Sequence, residues 1–230
     1  MDEVTIGFSN ELRGFYPSIK KAIEEAAEMI PGFNIHIIGP YNTYSPLPNA
    51  KSVTETIEQS FRALYVNSAK VDVARVFGMI EANGVTHGPG DKKHIILVTG
   101  QQLVGKDGSS YYAYNNRFDG IITLANCYGG TDVEETLKIL LLQVLARIRA
   151  AITCNEPQLC LTKPIGYETK DDIVNMARGL ARAKKEQSTS GPPHRAVLGQ
   201  LFCPKCRLHI GRYCDFDYPS TVESNIHPNS

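Results

Sequence analysis

The period of hydrophobic and polar positions changes several times along the chain, and each change predicts an element. The apolar run "VTIGF" (4–8) reads as a short buried strand. Ser18 precedes "IKKAIEEAAEMI", where Ile19, Ala22, Ile23, Ala26, Ala27 and Ile30 share one helical face, so Ser18 is expected to cap a helix. Pro31-Gly32 stops that helix, and "NIHIIG" (34–39) predicts the next strand. Helical patterns return over 53–64 and 71–82, the second closed by Asn83-Gly84. "HIILVTG" (94–100) reads as a central strand, and "SSYYAY" (109–114) and "GIITLAN" (120–126) as two more.

The best-specified helix spans 132–153. Thr131 and Glu134 read as a capping box. Val133, Leu137, Leu140, Leu141, Val144, Leu145, Ile148 and Ile152 give it a wide apolar face. A further helix is expected from Thr169, with Asp172 three residues on. The β-α-β-α ordering predicts an α/β fold with helices packed on a sheet. By composition the chain divides into an α/β domain over 1–185, a linker over 186–198, and a segment over 199–230. That last segment holds a C-P-x-C knuckle and a polar tail expected to pack on the main domain.

Composition narrows the function classes. Of 230 residues 42% are hydrophobic, enough for a sizeable core. Lys plus Arg and Asp plus Glu balance at 24 each, so no global field draws the chain to nucleic acid or to a membrane surface. The N-terminus "MDEVTIGF" has acids where a signal peptide has bases. No run approaches the roughly 18 apolar residues needed to span a bilayer. A cytoplasmic location is therefore expected, where cysteines are metal ligands or core residues more often than disulfides.

Cys154 and Cys160 form one pair, and Cys203 and Cys206 another, the second inside "FCPKCRLHIG". A C-P-x-C turn points two thiolates at one metal, and a second pair far away in sequence can complete a tetrahedral four-cysteine zinc site. Such a site would clamp the knuckle to the end of the 132–153 helix. His209 and Cys214 are substitute ligands, and six buried thiols are the alternative. Cys127, in "LANCYGG", reads as a packing residue.

Other motifs carry less. Gly100, Gly105 and Lys106 give G-x-x-x-x-G-K after a strand, but Asp107 stands where Mg²⁺ binding needs Ser or Thr, so no nucleotide is expected. Arg178, Arg182, Lys184, Lys185 and Arg195 form a local basic run, which Arg207 and Arg212 extend. It reads either as a solvated face or as a phosphate-contacting patch for nucleic acid.

From about residue 70 to 210 the chain resembles archaemetzincins, a family of zinc peptidases. The shared order is a helix, a strand comparable to "HIILVTG", a hairpin comparable to "YYAYNNRFDGIITLAN", and the active-site helix. In the family that helix reads H-E-x-x-H-x-x-G-x-x-H-C. A Cys four residues later and a C-P-x-C knuckle complete a structural zinc site. The resemblance implies a metzincin-like mixed sheet and one structural Zn²⁺ on Cys154, Cys160, Cys203 and Cys206, although the first gap here is five residues.

Counted back from Cys154, the histidine positions hold Gln143, Arg147 and Thr153, the glutamate position Val144 and the glycine position Ala150. No His lies between His94 and His194. The expectation is a chain that is not an enzyme. It would be a binding or regulatory factor in a larger complex, most specifically a ribosome-associated dormancy factor of the microsporidian kind. Such a factor blocks a tRNA site and contacts rRNA and ribosomal proteins. The alternatives are a metal-dependent hydrolase seeded by His87, Asp91 and His94, and a protein-only scaffold.

Overall fold

Three of the apolar runs become parallel neighbours in one sheet. The computed structural model of the chain describes residues 2–30, 32–41, 70–72, 93–105, 110–116, 118–125, 127, 129–150, 154, 160–162 and 202–213. Strand β1 (Asp2–Ser9) pairs in parallel with β2 (Phe33–Tyr41) on one side and β4 (Lys93–Thr99) on the other. Strand β8 (Gly120–Thr123) continues the parallel set, and β7 (Ala113–Asn115) closes it antiparallel, giving the order β2-β1-β4-β8-β7. Three short strands, β3 (Lys70–Asp72), β5 (Gln102–Val104) and β6 (Ser110–Tyr111), form a second sheet. The fold is α/β with a mixed five-stranded sheet.

Alternation along the strands sets the core. Val4, Ile6 and Phe8 of β1 join Ile96 and Val98 of β4 and Ile122 of β8 in one cluster. Helix α1 (Tyr16–Met29) buries Ile19, Ala22, Ile23, Ala26 and Met29 in the same cluster. Helix α2 (Gly130–Ala150) is buried nearly all round from Leu137 to Ile148, beyond the single stripe of a surface helix. It lies so close to β8 that a Cβ on Gly120 would sit 2.6 Å from Val144 Cγ1. The ammonium of Lys138 bridges Glu25 of α1 at 3.0 Å and Glu135 at 2.8 Å. Burial alone would lower the Lys138 pKa, but these two partners outweigh it and raise it. At the far end of α2, Arg149 pairs with Asp2 and stacks on the Phe33 ring.

Local chemistry departs from the sequence reading at several points. No side chain caps α1; a 3-10 helix over Asn10–Phe15 leads into it, and Pro17 sits in its first turn, where a missing N–H costs nothing. Thr131 lies inside the first turn of α2, and Glu134 pairs with Lys21 instead of closing a capping box. Residues 71 and 72 belong to β3, not to a helix. The run 109–114 splits between two sheets at Tyr112, which is 2% exposed. The knuckle continues as a helix, α3 (Pro204–Tyr213), with Pro204 at its first position. The predicted helices at 53–64 and from Thr169, and the linker at 186–198, lie outside the described residues.

Candidate metal centre

Both cysteine pairs are delivered to the C-terminal end of α2. Cys154 follows that helix, Cys160 lies on the segment that returns along it, and Cys203 and Cys206 open α3. All four are buried, and their Sγ atoms lie within 4.8 Å of one another. Cys154 Sγ and Cys203 Sγ are 3.7 Å apart. Tetrahedral zinc with Zn–S near 2.3 Å sets sulfurs about 3.8 Å apart. A disulfide needs about 2.05 Å. Four thiols with that spacing form the donor set of one structural zinc site.

Hydrogen bonds orient the sulfurs. The Cys203 amide donates to Cys160 Sγ at 3.4 Å, and the Cys206 amide to Cys203 Sγ at 3.5 Å. The Thr162 hydroxyl donates to Cys206 Sγ at 3.1 Å and lies 3.2 Å from Cys160 Sγ. Burial would raise the Cys160 thiol, but the bonds from Thr162 and the Cys203 amide outweigh it and bring it down. Burial pushes the Cys206 thiol well up. Thiolates crowded together without a cation repel, so ionising all four requires the metal.

Next to the cluster lie the helix positions counted as metal-binding by resemblance. Gln143 is fully buried and its Nε2 donates to Leu161 O at 2.8 Å. Arg147 is 9% exposed; its Nε donates to Thr162 O at 3.1 Å and its Nη1 to Asn115 Oδ1 on β7 at 2.9 Å. An amide and a guanidinium, both engaged with oxygen acceptors, do not fit a zinc ion.

The other sequence candidates scatter. His94 is buried at the start of β4, where its Nδ1 donates to Phe118 O at 2.8 Å; His87 and Asp91 lie outside the described residues. Arg178, Arg182, Lys184, Lys185 and Arg195, as well as Cys214, lie outside them too. Arg207 is half-buried on α3, and Arg212 and His209 are on the same helix. Cys127 is half-buried against the core. Where open parallel sheets often bind ligands, at the reversal of strand order between β1 and β4, Glu11 accepts from the Gly100 amide at 2.9 Å. The protein's own carboxylate thus occupies that crevice. Sequence reasoning missed Thr162 and Asn115, whose importance comes from partners distant in sequence.

No protein-family model and no curated protein matches the chain. Solved structures do. The archaemetzincin of Methanopyrus kandleri matches with TM-score 0.53 at 9% identity, covering 94% of this chain and 96% of that one. The archaemetzincin of Archaeoglobus fulgidus, described as complexed with malonate, matches with TM-score 0.53 at 8% identity, covering 90% and 99%. A zinc-dependent peptidase from Methanocorpusculum labreanum follows, with TM-score 0.45 at 11% identity. The fold is archaemetzincin-like. The expectation of a non-enzyme does not stand beside these neighbours, whose shared fold is that of archaemetzincins. Among the described residues no helix is long and apolar enough to cross a membrane.

Proposed function

We propose that this chain is a metal-dependent hydrolase of peptides, built on the archaemetzincin-like fold and stabilised by a structural zinc on Cys154, Cys160, Cys203 and Cys206. One observation carries the reading: α2 packs against β7, the antiparallel last strand of the main sheet. An extended peptide adds to such an edge through main-chain hydrogen bonds. The fold's company of archaemetzincins agrees with it. The reacting group is not Gln143, Val144 or Arg147, so the first variants to examine are His87→Ala and Asp91→Ala. The test is cleavage of a mixed peptide library by the zinc-loaded chain, read by mass spectrometry. Turnover that tracks metal content supports the reading. No cleavage by fully loaded protein overturns it.

A second reading rests on the helix itself, where Gln143 and Arg147 tie α2 to the cysteine segment. On α3, Lys205 is exposed beside half-buried Arg207, which adds positive charge next to the knuckle. In this reading the 199–230 segment packs on the 1–185 domain through the zinc. Together with the basic run at 178–195 it docks the protein into a larger cytoplasmic complex, the dormant ribosome being the specific version. Sedimentation in a sucrose gradient at low and moderate salt tests it. Salt-sensitive migration with ribosomal particles supports docking, and migration as a free protein overturns it.

A further inference from the structure

Arg147 is a buried cation whose described partners are neutral. Its two hydrogen bonds go to a backbone carbonyl and to the amide oxygen of Asn115, and no carboxylate pairs with it among the described residues. Charged groups taken out of water are ordinarily paired, and a guanidinium presents a planar fork matched to two carboxylate oxygens. Nε and Nη1 point to the acceptors just named, which leaves Nη2 for a further one. Burial disfavours the charge of Arg147, and Tyr114, the neighbour of Asn115 on β7, is 41% exposed. Tyr111 meets Tyr114 edge-on at 5.7 Å, which places an aromatic pair at the same strand as Asn115.

We infer that the edge formed by β7 and α2 is a carboxylate-binding site, in which Arg147 pairs with the carboxylate of an extended peptide lying along β7. The peptide's backbone adds to the strand edge, and its negative charge supplies the counterion that Arg147 lacks among the described residues. Asn115 is a positioning residue: it belongs to the strand and holds the guanidinium toward it. The carboxylate comes from a chain terminus or from an Asp or Glu side chain. This inference rests on the peptide reading above and names its substrate class.

Equilibrium binding separates the two. Fluorescein-labelled pentapeptides of alanine and valine would be titrated with the zinc-replete full chain, followed by anisotropy. Three peptides are needed: a free C-terminal acid, its amide, and an amide with one internal Glu. The free acid or the Glu peptide should bind at least about tenfold tighter than the neutral amide, in line with charge-assisted hydrogen bonds. Whichever acid gains identifies the source.

R147M should erase the preference while leaving zinc content unchanged. Asn115→Asp guards against a folding artefact, because it gives Arg147 an internal counterion. It should abolish the preference without lowering stability. Equal binding of all three peptides, no binding of any, or a preference that survives in both variants would overturn the inference. A preference without cleavage would leave it standing and sink the hydrolase reading alone.

Discussion

Stripping the zinc should undock α3 while the sheet and α1 stay folded. The described part of this segment buries Phe202 and Ile210, with Cys203 and Cys206, against the core. Two large apolar side chains contribute about 1.5–3 kcal/mol each. Against them stands the ordering of the ten residues of α3, at about 1–2 kcal/mol each for the backbone. Ten residues are also short for a helix stable by itself. A structural zinc held by four thiolates, on the order of 10 kcal/mol at neutral pH, decides the balance. The core under the sheet does not need it, since Val4, Ile6, Ile96 and Leu140 are fully buried and none of them belongs to the donor set.

Acidity should act in the same direction. Zinc loss on unfolding lets four thiolates take up protons below the ordinary thiol value near 8.5. Stability of the loaded protein should therefore rise with pH by up to about 5 kcal/mol per unit below that value. In the metal-free fold the Cys160 thiol is lowered, so its contribution is present above the unfolded value and lost as pH falls through the folded one. The Cys206 thiol is raised, so its contribution is present below the unfolded value and lost as pH rises through the folded one. The stripped protein should then show a slope of at most about one proton, or about 1.4 kcal/mol per unit. Guanidinium unfolding at pH 6, 7 and 8, with and without chelator, measures both slopes, and hydrogen exchange over 204–213 reads the undocking. Identical midpoints and unchanged protection after complete zinc removal would refute the argument.

Other substitutions test the packing around the site. Gly120→Ala should cost about 1–3 kcal/mol by denaturant unfolding, since its Cβ meets Val144 Cγ1 at 2.6 Å, and Val144→Ala in the same chain should recover part of that. Lys138→Met leaves Glu25 and Glu135 facing each other without their cation, and should lower stability by about 2 kcal/mol. That loss should shrink at acid pH as the carboxylates protonate. Thr162→Val removes a hydroxyl from Cys206 Sγ and should weaken zinc affinity about 10- to 100-fold in a chelator competition, with the fold intact.

What the sequence reveals here follows from how far each signal reaches along the chain. Uninterrupted apolar runs such as 94–100 identify central parallel strands because both of their faces are buried, a property of the run itself. The four ligands are legible for a similar reason: C-x-x-C is a local device, and a second pair completes it. Gln143, Arg147 and Lys138 look like ordinary polar interruptions of an apolar helix, because the partners that bury them (Leu161, Thr162 and Glu25) lie 15 to 113 residues away. Tyr112 divides one strand-like run between two sheets, and nothing local marks it. Helix α3 had a signal in Pro204, hidden because the same residue belongs to the knuckle motif.

The same contacts connect the metal to the strand edge. Zinc fixes Cys160, and two residues later the carbonyl of Thr162 accepts from the Cys154 amide at 3.4 Å and from Arg147 Nε at 3.1 Å. Arg147 in turn holds Asn115 of β7. Leu161, between them, receives Gln143. Each of these bonds is worth only about 1 kcal/mol, yet the three to Leu161 and Thr162 are made by one short segment whose position the metal sets. Loss of zinc would release those three together, and the guanidinium would lose the Thr162 half of its alignment while its charge remained. A structural ion that touches no ligand at β7 would therefore still govern what binds there. The inferred peptide site at β7 would then depend on the cysteine cluster for more than stability.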